Sequence, residues 1–380
     1  MKKKRGGQKK RRGGMGLLLI LSMIVLALSG CSKKKETKTE KPPTKKIEVE
    51  KPESVEEVPE EPEEEKIPEN QNLLTGLADL TDAAIGKRPV AVMVNNIPAA
   101  MPQYGVEKAD IIFEIPVEGD QTRFMALYAD YTTVPQICAI RSCRYYFPAL
   151  SQGFDAFYVN WGGIDDSIAD YLEALKLDQY DGIYNAGGLF GRDMERRNQG
   201  YALEHTGYFD GTKFAEVVQN TGKRTDLAED KKGTAFQFNG LNEQVKPSED
   251  VCKKVSIDFG AQSATLVYDE ASNTYKKEID GNAQIDGKTG NQLAFTNVFV
   301  LETTISVKDD LGHKAVDWDG WEDSMGYYIS NGAKQKIHWS KEENNELSRL
   351  TFYDESGNEI SINRGKSYIA FNYPNQTAYE

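Results

Sequence analysis

The chain has 380 residues, 39% hydrophobic and 28% charged, with a formal net charge of −13. At about 100–200 residues per domain, this length predicts two domains with chain left over. The acidic balance argues against a nucleic-acid partner, which would need a basic face. Four cysteines exclude a disulfide-dense miniprotein, and three histidines leave little for a His-rich metal site. No metal and no cofactor is therefore expected.

The first thirty residues read as an address. Residues 1–16 carry eight Lys/Arg and no acid, and Leu17–Leu28 is apolar apart from Ser22. That run is shorter than the about 20 residues a membrane-spanning helix needs, and matches a signal-peptide core. It closes on Leu28-Ser29-Gly30-Cys31, which is similar to a bacterial lipobox. The resemblance implies cleavage of residues 1–30, a diacylglyceryl thioether on Cys31 and a mature chain starting there. Two or more acyl chains anchor stably, so the expected location is the extracytoplasmic face of the cell membrane. The alternative is an uncleaved signal anchor with an incidental cysteine. Residues 31–72 comprise that cysteine and a tether with six of the fourteen prolines, alternating Lys and Glu blocks and no aromatic residue. Such a segment buries too little apolar surface to offset its chain entropy.

Order is expected from Leu73. Arg88–Val94 is a nearly continuous apolar run and predicts a buried strand. Further strands are predicted over Asp110–Ile115, Arg123–Tyr128, Gln136–Arg141 and Ala156–Trp161. Ile164–Lys176 places Ile168, Tyr171, Leu172 and Leu175 at helical spacing, and Phe214–Gln219 predicts a second helix. Interleaved strands and helices make 73–226 a mixed α/β domain. From about Lys231, short runs such as Ala264–Tyr268, Val298–Val307, Tyr327–Ser330, Lys336–Trp339 and Arg349–Tyr353 are separated by turn signals, among them Asp280-Gly281 and Asn331-Gly332. Residues 227–380 are expected to form a strand-rich, mostly antiparallel domain, sandwich-like or an open barrel, which gives an α+β chain.

No GxxxxGK[ST], HExxH, CxxC pair or GxSxG occurs, so the usual signatures of ATP hydrolysis, zinc proteolysis and esterase chemistry are missing. Beyond Cys31 there are Cys138, Cys143 and Cys252. Cys138 and Cys143 can pair if the chain turns between them. A Cys143 thiolate beside Arg141 and Arg144, with His205 as base, is chemically conceivable because cations lower a thiol pKa. Inert buried thiols are the plainer reading.

Polar residues concentrate between Glu114 and His205. Glu118, Asp120 and Arg123 come first, then Arg141 and Arg144, then Trp161-Gly162-Gly163, and finally Arg192, Asp193 and His205. Several stand at predicted strand ends, where α/β folds gather ligand sites. Arginine forks match carboxylates, phosphates or sugar acids, and Trp161 offers a face for stacking a sugar. The same residues also suit ion pairs and turns that hold a fold together. A second chemistry is glycan hydrolysis, with Glu118 or Asp120 paired with Asp193, one acid protonated and the other ionised, about 5–10 Å apart.

These residues carry a family resemblance. Arg88–Asn96, Val117-Glu118-Gly119 with Thr122-Arg123-Phe124, Ile140-Arg141-Ser142 with Arg144 and Phe147, Gly162-Gly163, and Arg192-Asp193 with Arg196 and His205-Thr206 resemble YerB-like lipoproteins of Gram-positive bacteria. Val267-Tyr268-Asp269, Asp286–Gly290, Gly326-Tyr327-Tyr328 and Phe352-Tyr353-Asp354 continue it to the C-terminus. The resemblance implies a surface lipoprotein with N- and C-terminal family domains, and no particular reaction. This chain departs from the family at Cys143 (usually alanine), at Asn160 (usually histidine) and at Glu204-His205-Thr206 (usually Pro-His-Asn). The combined expectation is a membrane-anchored binding or adaptor protein of the cell envelope, with wall glycan or a cell-wall enzyme as partner. An envelope glycan hydrolase of the peptidoglycan type is the enzymatic alternative.

Overall fold

A computed structural model describes residues 66–164, 166–320, 324–343 and 345–380. The signal segment, Cys31 and all but the last residues of the expected tether lie outside the described residues.

The apolar run after Arg88 forms β1 (Val90–Asn95), followed by β2 (Ile111–Pro116) and β3 (Thr122–Tyr128), and every residue in all three is buried. Burial on both faces is why these strands read as continuous runs rather than alternating ones. Val90, Val92 and Val94 enter one apolar layer, while Ala91 and Met93 enter the other. Next come β4 (Phe157–Asn160), β5 (Gln179–Asp181), β6 (Asn297–Glu302), β7 (Met325–Ser330), β8 (Ala333–Ser340), β9 (Thr351–Tyr353) and β10 (Ser367–Asn372). Together they make one sheet in the order β9-β8-β7-β6-β10-β2-β3-β1-β4-β5.

The joint in this sheet is β10. It pairs in parallel with β2 through Ile111 and Ser367, and in parallel with β6 through Asn297 and Ser367. The sheet thus passes without a break from the first half of the ordered chain to the second, and residues Pro62–Glu380 are one compact unit.

One face carries α1 (Tyr146–Gln152) and α2 (Asp166–Ala174), with Phe147, Leu150, Ile168 and Leu172 in its apolar layer. A short α3 (Met194–Asn198) follows. The opposite layer takes Phe214 and Val218 of α4 (Phe214–Thr221), together with a six-stranded antiparallel sheet that includes Lys254–Asp258, Ser263–Asp269 and Thr274–Ile279. The fold is strand-rich and mostly antiparallel.

The structure adjusts several expectations. The strand expected over Gln136–Arg141 ends at Cys138, and residues 139–141 run beside β1, with Asn95 N–H on Ala139 O and Arg141 N–H on Met93 O, both 2.9 Å. The run Val298–Val307 divides into β6 and the first strand of a hairpin, Ile305–Val307 paired with Lys314–Val316. Helix α1 was not anticipated. All seven of its residues are buried, so its pattern has no polar face, and Pro148 sits in the first turn, where no intrahelical donor is lost.

Strands β1, β2, β4, β5, β6 and β10 run in one direction. Their C-terminal ends share one edge of the sheet.

Candidate functional site

That edge collects most of the polar residues singled out in the sequence. After β2 the chain makes a tight turn through Gly119 and Asp120, both with positive φ, closed by Val117 N–H on Gln121 O at 2.7 Å. The turn presents Glu118. Its carboxylate meets Arg123 at 3.4 Å and is also paired with Arg144. Burial works to raise the Glu118 carboxyl, but Arg123 and Arg144 outweigh it and hold it below the usual glutamate range. Arg123 is almost fully buried, and that burial, together with Arg144 and Arg141 nearby, brings its guanidinium down to about 10 against the opposing pull of Glu118. Its Nη1 donates to Ser142 O at 3.0 Å.

Residues 139–143 pass between the ends of β1 and β4. Trp161 N–H donates to Arg141 O, and Cys143 N–H to Gly162 O, both at 2.9 Å. Gly163 has φ +77°, and a Cβ there would lie 2.4 Å from Ser142 Cβ, so the close approach of these two segments requires glycine. Asp181 fixes the turn from below, accepting from Gly162 N–H at 2.9 Å and from Ile183 N–H at 2.8 Å. Asn160, where the family pattern has histidine, is buried and donates to Gly162 O and Asp181.

A second group lies alongside. Arg141 pairs with Glu204 at 3.3 Å, and Glu204 stands 3.5 Å from His205 Nε2. His205 Nδ1 lies 3.0 Å from the Asn95 amide, and burial lowers the histidine pKa although Glu204 opposes this, which favours a neutral ring. Arg141 Nε is buried without an acceptor among the described residues. Arg192 packs on Trp161 and donates to Leu203 O at 2.7 Å. With Arg192 over its ring and Phe190 meeting it edge-on at 5.8 Å, Trp161 does not offer the open stacking face expected of it.

Asp193 stays out of the cluster. Its carboxylate accepts from Arg196 N–H at 3.0 Å and caps α3. Asp120 is held by Lys314 at 2.5 Å and by Tyr373 at 2.7 Å, and these hydrogen bonds lower its pKa. Glu118 and Asp120 are thus both held below their usual ranges, whereas glycan cleavage needs one carboxyl protonated, and Asp193 is engaged as the cap of α3. The thiols behave similarly. Cys138, Cys143 and Cys252 are buried and free, so Cys138 and Cys143 are not a disulfide. Burial pushes Cys143 up to about 12 despite the Tyr158 hydroxyl 3.6 Å away and the arginines nearby. The sulfur with a contact to His205 is Cys138, through the backbone carbonyl at 3.8 Å. No Cys143–His205 pair forms.

Two participants had no signal in the sequence. His313, on the hairpin following β6, places Nε2 3.2 Å from Glu118, and Lys314 beside it holds Asp120. Both lie nearly two hundred residues beyond their partners. Among the described residues, no group of three or more His, Cys, Asp or Glu side chains is arranged to hold a metal ion.

Beside the Gly162-Gly163 turn lies a groove of about 740 Å³, bounded by α2 and by the residues leaving β5, with Leu172, Gln179, Asp181, Ile183 and Tyr184 on its walls.

Residues 74–224 match the N-terminal domain, and residues 255–369 the C-terminal domain, of the family described as protein of unknown function (DUF3048). Over 268 residues the chain is 30% identical to YerB of Bacillus subtilis (strain 168), a protein named as a lipoprotein, covering 67% of this chain and 73% of that one. The chain belongs to this YerB-like family. The crystal structure of YerB from Bacillus subtilis superposes with a TM-score of 0.68 at 26% identity, over 81% of this chain and 98% of that chain. The fold is therefore shared with YerB.

Proposed function

We propose that this chain is a lipoprotein anchored through Cys31 to the extracytoplasmic face of the cell membrane, and that it acts by binding an anionic component of the envelope without catalysing a reaction. The lipobox-like Leu28–Cys31 and the lipoprotein naming of the Bacillus relative support the anchor. The observation that carries the binding reading is the convergence of Arg123, Arg141, Arg144 and Arg192 on one sheet edge. Glu118 and Glu204 are the acids paired there, and Arg141 Nε is left without an acceptor. Crowded guanidiniums with spare donors favour a ligand bearing carboxylates or phosphates, which wall glycans and their attached polymers supply. Among the described residues no helix is long and apolar enough to cross a membrane, and the proposal gives the whole membrane attachment to the lipid.

Two measurements test it. Growth with labelled palmitate is expected to tag the wild type and not Cys31→Ala, and equal labelling of both rejects the anchor. Co-sedimentation with purified wall material is expected for the wild type and strongly reduced for Arg141→Ala/Arg192→Ala. Release of reducing ends by the wild type would favour the hydrolase instead.

A further inference from the structure

The groove beside Gly162-Gly163 runs along the outermost strand of the ten-stranded sheet. Strand β5 pairs with β4 on one side, Tyr158 opposite Gln179 and Asn160 opposite Asp181, and among the described residues no strand lies on its other side. In a parallel ladder, alternate residues turn both main-chain groups toward the same neighbour. Tyr158 N–H donates to Asp178 O at 3.0 Å, and Gly182 N–H to Asn160 O at 2.9 Å. This phase assigns Tyr180 to the ladder. It turns the N–H and C=O of Gln179, and the N–H of Asp181, outward along the groove.

An open row of backbone donors and acceptors is a template for another chain, and sheets usually blunt it with charge, proline or a covering element. Here the strand is short, three residues, and Glu173 and Lys176 line the groove beside it, yet no proline interrupts it. The strand runs directly into Ile183 and Tyr184, which are 62% and 82% exposed, and the groove is also lined by Leu172 of α2, itself buried in the core, and by Leu177 just after that helix. The combination is a free strand edge, apolar positions beside it and a channel of about 740 Å³. Only an extended polypeptide repeats N–H and C=O at the spacing of the edge, whereas sugar hydroxyls do not. We infer that β5 is the docking edge for an extended segment of a partner protein, which adds a further strand to the sheet and seats alternate side chains against Ile183 and Tyr184.

This goes beyond the arginine-based reading, since none of its arginines is needed. The test uses the full chain in detergent, panned against short random peptides displayed on phage, with an enriched peptide then synthesised and labelled. Gln179→Pro removes an outward N–H while leaving the β4 ladder intact. Tyr184→Asp alters an exposed side chain and keeps the fold available if the proline variant does not fold. The expected result is a peptide whose affinity drops roughly tenfold or more in each variant, and which slows hydrogen exchange at Gln179 and Asp181 in the wild type. No enriched peptide, or one that binds both variants like the wild type with those amides exchanging freely, overturns the inference. Arg141→Ala/Arg192→Ala is expected to bind the peptide normally, so loss of wall binding alone counts against the arginine reading and not this one.

Discussion

The Arg192 guanidinium lies 4.2 Å from the centre of the Trp161 ring. The indole is also hemmed by Gly182 and Gly207, where a Cβ would come within 2.5 Å and 3.0 Å of it. The ring that stands ready for a sugar in the sequence is thus a support for an arginine in the structure, and ligand chemistry at this edge passes to the guanidiniums. A partly exposed cation–π contact is worth about 0.5–1 kcal/mol. Arg192→Ala is therefore expected to lower unfolding free energy by about 1 kcal/mol or less in urea titrations, while wall co-sedimentation falls. A stability loss well above that would make Arg192 a structural residue.

Arg196 is different. It is fully buried and donates to His205 O at 3.2 Å, Pro102 O at 2.6 Å and Ala100 O at 2.7 Å, between the rings of Tyr201 and Tyr104. Arg196→Met leaves three carbonyls without this donor, those of His205 and Ala100 buried and that of Pro102 partly so, and about 3 kcal/mol or more of stability is expected to disappear. Arg196→Lys is not expected to restore it, because one ammonium cannot span the three acceptors a guanidinium reaches. Chemical denaturation of the two variants side by side decides the point.

The thiols give a chemical check on the site. With Cys138 and Cys143 both pushed up to about 12 by burial, native protein at neutral pH is expected to leave Cys138, Cys143 and Cys252 unlabelled by a thiol reagent, and denatured protein to label all three. Cys143→Ala is expected to retain wall binding. Rapid labelling of Cys143 in the folded state would reopen nucleophilic chemistry at this edge.

Lys341 supplies a pH dependence. It is buried, donates to Ala149 O at 2.9 Å and lies 4.8 Å from the Trp318 ring centre. Burial, opposed by Glu346, brings its pKa down to about 7 from the usual 10.5. A folded value below the unfolded one means the neutral amine is the form the fold prefers. This group's stability is present above about pH 10.5 and is lost as pH falls through 7. Wild-type stability is expected to gain a few kcal/mol over Lys341→Met as pH rises across that window. The difference between the two unfolding curves, measured from pH 6 to 10, should rise with pH; a flat difference refutes the assignment.

Much of the secondary structure was legible because it depends on local pattern. The apolar runs became β1, β2, β3 and β4, and the helical spacing of Ile168, Tyr171 and Leu172 became α2, with Leu175 just past its end. Helix α1 escaped because burial on every side erases periodicity. Strand β10 was not foreseen at all, yet it is the strand that joins the two halves of the sheet. The candidate residues were legible as residue types, and the fold brings Glu118, Arg123, Arg141, Arg144, Trp161, Gly162, Gly163, Arg192 and His205 to one end of the sheet. Asp193 is instead engaged at the N-terminal turn of α3.

By itself the sequence determined many of the strands and helices α2 and α4, the family to which the chain belongs, and that arginines and a Gly-Gly turn stand near strand ends, since these follow from neighbouring residues along the chain. Only the tertiary structure decided that Glu118 answers to Arg144 and to His313 from the far half, that Trp161 is covered and that Cys143 is buried and unpaired. Charge state and exposure are set by desolvation and by groups a few ångströms away in space, and folding brings those groups from up to two hundred residues away, where local pattern carries no record of them.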